Sequence, residues 1–137
     1  MKTIPDSNVI LDVLAEDAIW GAWSKGKMSE LRQDGPLVIN PVVYAETAGR
    51  FAKVEGLDHV FRLLAIEKED LPWIAAYHAG RAHVAYRKSG GERTRVLPDF
   101  LIAAHASVQG YRILTRDPTR YRSYFPNLEV IAPDIHP

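Results

Sequence analysis

Two short apolar runs that pass directly into helix-starting signals restrict the fold more than any other feature of the chain. Leu37-Val38-Ile39 is followed by Asn40-Pro41, an N-cap residue and a proline at the first helical position. Ile4-Pro5 leads into Asp6-Ser7-Asn8, after which Val9, Ile10, Val13 and Leu14 recur at helical spacing. Short buried strands separated by helices predict an α/β fold with a mainly parallel sheet.

The remaining chain reads the same way. A helix is expected over about 18–32, stopped by Asp34-Gly35-Pro36, and another from Asn40-Pro41 through about Lys53. Gly56 is read as a break, with Leu57, Val60, Phe61 and Leu64 forming the next helix. Further helices start at Leu71-Pro72, running through Trp73, Tyr77, Ala82 and Tyr86, and at Leu97-Pro98-Asp99, ending at Gly110. Strands are expected at 1–5, 65–68, 112–115 and 129–131. The last two are separated by turns at Asp117-Pro118 and Phe125-Pro126. Ser89-Gly90-Gly91 is a break. With 137 residues and neither repeat nor linker, the expectation is one domain, 1–137.

Composition narrows the function classes. Leu37 to Ala45, nine residues with Asn40 among them, falls well short of the roughly 18 residues a membrane span needs. No signal-peptide h-region stands at the amino terminus, so a cytoplasmic location is expected. The absence of cysteine excludes disulfides, thiolate metal sites and a cysteine nucleophile. Seventeen basic residues balance seventeen acidic ones, so any nucleic-acid binding must use a local patch. One candidate is Arg81, Arg87, Lys88, Arg93 and Arg95, opposed by Glu92. The other is Arg112, Arg116, Arg120 and Arg122, opposed by Asp117. An ordinary solvated surface accounts for such runs equally well. Phosphate-cradling, dinucleotide-binding and nucleophile-elbow motifs are absent. His78 and His83 read as surface or packing histidines, and His105 as lining the core behind Asp99. Trp20, Trp23, Trp73, Tyr77 and Tyr86 read as core or subunit contacts rather than base-stacking platforms.

Four acids stand out, each with a bland alternative. Asp6 is either a helix cap or a ligand; since Ser7 and Asn8 can cap, Asp6 is expected to be spared for another task. Asp12 falls off the apolar stripe and is expected to be solvated. Glu46 shares a helix face with Val42, Val43 and Gly49, so it needs a metal or a partner such as Arg50. Asp99 suits the first turn of its helix on dipole grounds alone, and Asp117 suits a turn. Ligands of parallel sheets bind beyond the carboxyl ends of the strands, which should bring Asp6 and Asp117 to one rim. Several carboxylates in one cleft repel one another unless a cation offsets them, and hard cations such as Mg²⁺ or Mn²⁺ take such oxygens. A cation of this kind lowers the pKa of bound water and can serve hydrolysis at phosphorus.

These residues resemble the PIN domain, a family of metal-dependent ribonucleases. The carrying segments are Asp6-Ser7-Asn8-Val9-Ile10-Leu11-Asp12, Ile39-Asn40-Pro41-Val42-Val43-Tyr44-Ala45-Glu46, Leu97-Pro98-Asp99-Phe100-Leu101-Ile102-Ala103-Ala104-His105-Ala106 and Leu114-Thr115-Arg116-Asp117. Their order extends across nearly the whole chain, and 121–128 also resembles the VapC-type toxins of bacterial toxin–antitoxin pairs. The resemblance implies a five-stranded parallel sheet flanked by helices. It also implies that Asp6, Glu46, Asp99 and Asp117 are the catalytic, metal-holding quartet, with Ser7, Asn8 and Thr115 orienting them. Pro5 departs from the family pattern and raises the expectation of a first strand that is short or locally unpaired.

The expected function is a Mg²⁺- or Mn²⁺-dependent endoribonuclease, the toxin of a type II pair, with RNA as substrate and a protein antitoxin as partner. Arg93, Arg95 and Arg116 are candidate backbone contacts. A homodimer is expected by resemblance, with Trp20 or Trp23 in its interface. The alternatives are a catalytically idle PIN-like RNA- or protein-binding module, and an RNA-processing nuclease without an antitoxin.

Overall fold

A computed structural model describes residues 1–91 and 96–137. The elements run β1 (Thr3–Pro5), α1 (Ser7–Leu14), α2 (Gly21–Arg32), β2 (Leu37–Ile39), α3 (Pro41–Ala48) and α4 (Val54–Leu63). They continue with β3 (Ile66–Lys68), α5 (Trp73–Lys88), α6 (Leu97–Gln109), β4 (Arg112–Leu114), α7 (Thr119–Tyr124) and β5 (Val130–Ile131). The five strands form one parallel sheet in the order β3-β2-β1-β4-β5. Ile4, Ile39, Ile113 and Leu114 are fully buried in it, as are Val9 and Ile10 of α1 and Phe100 and Ile102 of α6. Among the described residues no helix is long and apolar enough to cross a membrane.

The chain winds outward from β1 through β2 to β3 and then returns to the other side of β1 as β4 and β5. The carboxyl ends of β1 and β4 therefore flank the point where the winding reverses, the usual place for a ligand crevice. Pro5 is compatible with this because of the side it faces. The Thr3 N–H is directed at the Pro36 carbonyl on the β2 side, and the Asp6 N–H at the Leu114 carbonyl on the β4 side. Alternation puts the missing Pro5 donor on the β2 side, where register with β2 is confined to Thr3↔Leu37. Pairing with β4 runs unbroken through Pro5↔Leu114. The first strand is short and one-sided, yet the backbone of Asp6 is fixed at 2.8 Å to β4.

Several local expectations need correction. Asp6 itself occupies the N-cap of α1 and accepts from the Ser7 N–H, while Ser7 and Asn8 lie inside the helix. Asp17 accepts from the Ile19 and Trp20 N–H groups, which holds that turn outside α2 and delays its start to Gly21. The helix from Pro41 stops at Ala48 rather than near Lys53. Gly49 is a poor helix residue, and Phe51 turns inward to pack on the core. Gly56 does not break a helix but sits in the first turn of α4, close to the Phe51 ring. Between the two proline turns the chain forms α7, which the sequence reading missed. Tyr121, Tyr124 and Phe125 are its helical-spacing signal. Trp73 is 92% exposed and Tyr77 is also exposed, so neither belongs to the core.

Asp12 is the largest correction. It is buried, accepts from Ser24 Oγ at 2.9 Å, and lies 2.6 Å from Arg116 Nε. The partners that make burial tolerable come from α2 and from the segment after β4, out of reach of a local pattern. Asn40 and His105 form a second polar anchor. Asn40 Oδ1 caps α3 through the N–H groups of Val42 and Val43, so its Nδ2 is the donor to His105 Nδ1 at 3.1 Å. His105 Nε2 then donates to Glu69 at 3.3 Å. Burial holds the His105 imidazole below its usual pKa, against the opposing effect of Glu69. This contact ties α6, the carrier of Asp99, to the β2–α3 junction that leads to Glu46.

Asp12→Ala is expected to cost about 2 kcal/mol in urea denaturation, because it leaves Ser24 and the Arg116 charge without their acceptor. Glu30→Ala on the exposed face of α2 should change stability by less than about 0.5 kcal/mol. Equal effects of the two would remove Asp12 as an anchor.

Candidate active site

Four segments bring acids to one cleft. Asp6 ends β1, Glu46 lies on α3 after β2, Asp99 is in the first turn of α6, and Asp117 follows β4. Together with Ser7, Asn8, Leu11 and Tyr121 they line a cleft of about 260 Å³ at the carboxyl ends of the strands.

Asp6 forms the floor and is 4% exposed. Its Oδ1 accepts from the Ser7 N–H at 2.8 Å, and its Oδ2 accepts from Thr115 Oγ1 and Tyr121 Oη, each at 2.8 Å. Asn8 Nδ2 lies 3.4 Å from Asp6 Oδ2 and 3.3 Å from Thr115 Oγ1, and Asn8 Oδ1 accepts from the Arg116 N–H. Burial pushes the Asp6 carboxyl up to about 6; Tyr121 and Thr115 oppose this, while Asp99 and Glu46 add to it. The phenol of Tyr121, buried against these acids, is held well above its ordinary pKa and remains a donor. Sequence reasoning missed Tyr121 because α7 itself was missed.

The other three acids stand nearer solvent. Glu46 is at the exposed rim and Oε1 accepts a short hydrogen bond from Ser7 Oγ. Among the described residues Arg50 makes no ion pair with it. Partial burial raises the Glu46 pKa, the Ser7 bond lowers it and Asp99 raises it further. Asp99 Oδ2 accepts from Arg120 Nη2 at 2.6 Å. Asp117 is exposed, and its own N–H donates to Thr115 Oγ1 at 3.1 Å. Thr115 thus bridges the backbone of one acid and the carboxylate of another.

In donor type and charge this set fits a hard divalent cation, with oxygen ligands only and neighbouring acids that help raise the pKa of Asp6 and Glu46. The fit is of chemistry rather than of a closed cage. Among the described residues no group of three or more Asp, Glu or His side chains is gathered closely enough to enclose an ion. Asp99 is turned to Arg120, and both oxygens of Asp6 already accept hydrogen bonds.

The arginines are placed differently from expectation. Arg93 and Arg95 lie outside the described residues. The Arg116 side chain is paired with Asp12 and stands 5.7 Å from the Trp20 ring, and Arg116 is not among the residues lining the cleft. The run from Arg112 to Arg122 is not a free basic patch. Arg112 meets Asp34 and Glu129, Arg120 meets Asp99, and Arg122 meets Asp134. Those acids are distant in sequence, so a local count of charges could not reveal them. Trp20 and Trp23 are half-buried edge to face, with Trp23 Nε1 donating to the His136 carbonyl.

Comparison with known proteins identifies the fold. The family model described as PIN domain matches residues 3–124. No curated protein sequence matches. Among solved structures, VapBC2 from Rickettsia felis, bound to a DNA fragment from its promoter, is similar with a TM-score of 0.73. Identity is 17%, covering 96% of this chain and 98% of that one. VapBC-1 from nontypeable Haemophilus influenzae gives 0.70 at 18% identity, covering 96% and 98%. A toxin–antitoxin complex from Klebsiella pneumoniae gives 0.59 at 18% identity, covering 94% and 95%.

The raised pKa of Asp6 has a consequence for metal-free protein. The folded state keeps this proton up to about pH 6, whereas the unfolded chain releases it near 3.8. Folding therefore becomes less favourable as pH rises through that window. In EDTA, wild type is expected to lose about 2 kcal/mol relative to Asp6→Asn between pH 4 and 7, measured by denaturant titration. A difference that stays constant with pH would refute the shift.

Proposed function

The chain belongs to the PIN domain family, and from that premise we propose that it is a divalent-metal-dependent endoribonuclease, the toxin of a type II toxin–antitoxin pair. The observation that carries the reading is the meeting of Asp6, Glu46, Asp99 and Asp117, drawn from four separate segments, in one cleft at the strand carboxyl ends. Carboxylates that share one cleft repel one another, so their assembly favours a role that uses them.

Asp6, Asp99 and Asp117 would be the principal ligands of Mg²⁺ or Mn²⁺, with Glu46 contributing at the rim. When bound, such a cation supplies Lewis-acid stabilisation of phosphoryl oxygens during displacement at phosphorus. The chain's own contribution is orientation. Thr115, Tyr121 and the Ser7 N–H fix both oxygens of Asp6, so its carboxylate does not rotate away when solvent enters. Ser7 Oγ fixes Glu46, and Thr115 Oγ1 steadies the backbone at Asp117.

The toxin assignment rests on likeness of fold to the VapBC complexes and to the toxin–antitoxin complex from Klebsiella pneumoniae, and it supplies a protein antitoxin as partner. The same reading supplies a homodimer in the cytoplasm. The exposed Trp73, Ile74 and Tyr77 on α5 offer apolar surface for such contacts, more than the half-buried Trp20 and Trp23 do. A dimeric mass by light scattering is the expected result, and a monomeric mass at high protein concentration would count against the dimer.

A second reading has one observation in its favour. The ion pair on Asp99 and the fully bonded Asp6 suit a catalytically idle PIN-like module that binds RNA or protein. The two readings separate in one assay. The purified protein should cleave cellular RNA with Mg²⁺ or Mn²⁺, lose activity in EDTA, and lose at least about a hundredfold in Asp6→Asn and Asp99→Asn. Undiminished cleavage in those variants would sink the nuclease mechanism. Absence of any metal effect on cleavage or melting temperature would favour the idle module.

A further inference from the structure

The six residues of α7 set two consecutive side chains against the acidic cleft. Tyr121 is buried and reaches Asp6. Arg120 places Nη2 2.6 Å from Asp99 Oδ2, with side-chain exposures of 22% and 24% for the two partners. Among the described residues this is the single ion pair made by any of the four acids. Asp117 adds to the negative potential around the same guanidinium.

The attachment of Arg120 is narrow. Among the described residues its buried Nε has no hydrogen-bond partner, and its one hydrogen bond goes to Asp99. Arg122, two residues on, is different: both terminal nitrogens fork onto Asp134 at the surface, away from the cleft. Bidentate pairing is the stronger geometry for an arginine that only pins a helix. Arg120 instead holds one oxygen of the carboxylate that a cation would need.

A hard divalent cation and a guanidinium cannot share that oxygen without bringing two positive charges into contact at ligand distance. We propose that Arg120 is a built-in counter-ion for Asp99 that a divalent cation displaces, so that metal loading breaks the Arg120–Asp99 contact. This inference rests on the metal-dependent reading given above. In metal-free protein Arg120 offsets part of the repulsion among the four acids. The same contact makes the site compete with its own side chain for metal. The exchange is local, because Tyr121 keeps α7 fixed through Asp6 while the Arg120 side chain rotates.

The test is a Mg²⁺ titration of the full chain by calorimetry for wild type, Arg120→Gln and Arg122→Gln, with ¹⁵N NMR of the wild-type arginine Nε–H signals. Loss of the competitor should tighten Mg²⁺ binding about tenfold in Arg120→Gln. Arg122→Gln removes the same charge from the same helix and should stay within about twofold, which separates displacement from a general charge effect. In wild type the Arg120 Nε–H signal should shift on Mg²⁺ saturation while that of Arg122 stays in place. Equal or weaker binding by Arg120→Gln, or an Arg120 signal unmoved at saturation, would overturn the displacement and leave the metal-dependent reading standing. Failure of both wild type and Arg120→Gln to bind millimolar Mg²⁺ or Mn²⁺ would overturn that reading and the displacement together. Should Arg120→Gln not fold, the wild-type NMR titration decides alone.

Discussion

A carboxylate taken almost wholly out of water is costly unless donors surround it, and Asp6 imposes that requirement on the elements around it. Its position is fixed three ways at once: it ends β1, caps α1, and lies on the floor of the acidic cleft. The Ser7 N–H, Thr115 and Tyr121 supply its donors. Two of those three come from beyond β4, more than a hundred residues away. The β4–α7 segment is therefore held where it is by the need to solvate one aspartate, as well as by the apolar contacts of Tyr121 and Phe125. Packing and site construction share the same residues here.

Electrostatics then explains why a chain of zero net charge can be strongly polarised locally. Desolvation raises the pKa of Asp6, and Asp99 and Glu46 push in the same direction. Against this the chain sets Arg120 on Asp99, and it pairs Arg112, Arg116 and Arg122 with acids elsewhere. The basic run after β4 consequently projects little free positive charge. An anionic substrate would meet an acidic mouth, so under the metal-dependent reading substrate approach would be coupled to metal loading.

The strand-to-helix junctions were legible because capping and apolar periodicity are local. Asn40-Pro41 opens α3 as its residue types require, and Gly110 ends α6 in the left-handed conformation (φ 71°) that glycine favours. The strand-end rule placed Asp6 and Asp117 at one rim, but all four acids were legible as a set only through the family likeness, since each alone suits a cap, a turn or, for Glu46, an ion pair. What could not be read were pairings across the sheet. Asp12 looked solvated because its partners, Ser24 and Arg116, sit on other elements. Tyr121 was invisible for a different reason: a helix of six residues between two prolines resembles a pair of turns. The capping assignment at Asp6 failed because Ser7, Asn8 and Asp6 are all competent caps. The choice fell to the residue already fixed by β4 pairing.

Pro5 divides the site into two mechanical parts. Because its missing donor faces β2, β1 is tied to β4 along its whole length and to β2 only at Thr3. Asp6, Thr115, Tyr121 and the backbone of Asp117 consequently form one cross-linked unit around the β1–β4 pair. Glu46 and Asp99 belong to α3 and α6, and each is steadied by one side-chain donor, Ser7 and Arg120 respectively. A cation entering the cleft would find Asp6 already set and would have to recruit the other two by breaking those single contacts. In a metal-holding role the rigid part would fix where an ion binds, and the two singly held acids would fix how much binding costs. Arg120 belongs to the second group in energy although α7 belongs to the first in structure. That makes it the residue through which the rigid part of the fold adjusts the charge of the adjustable one.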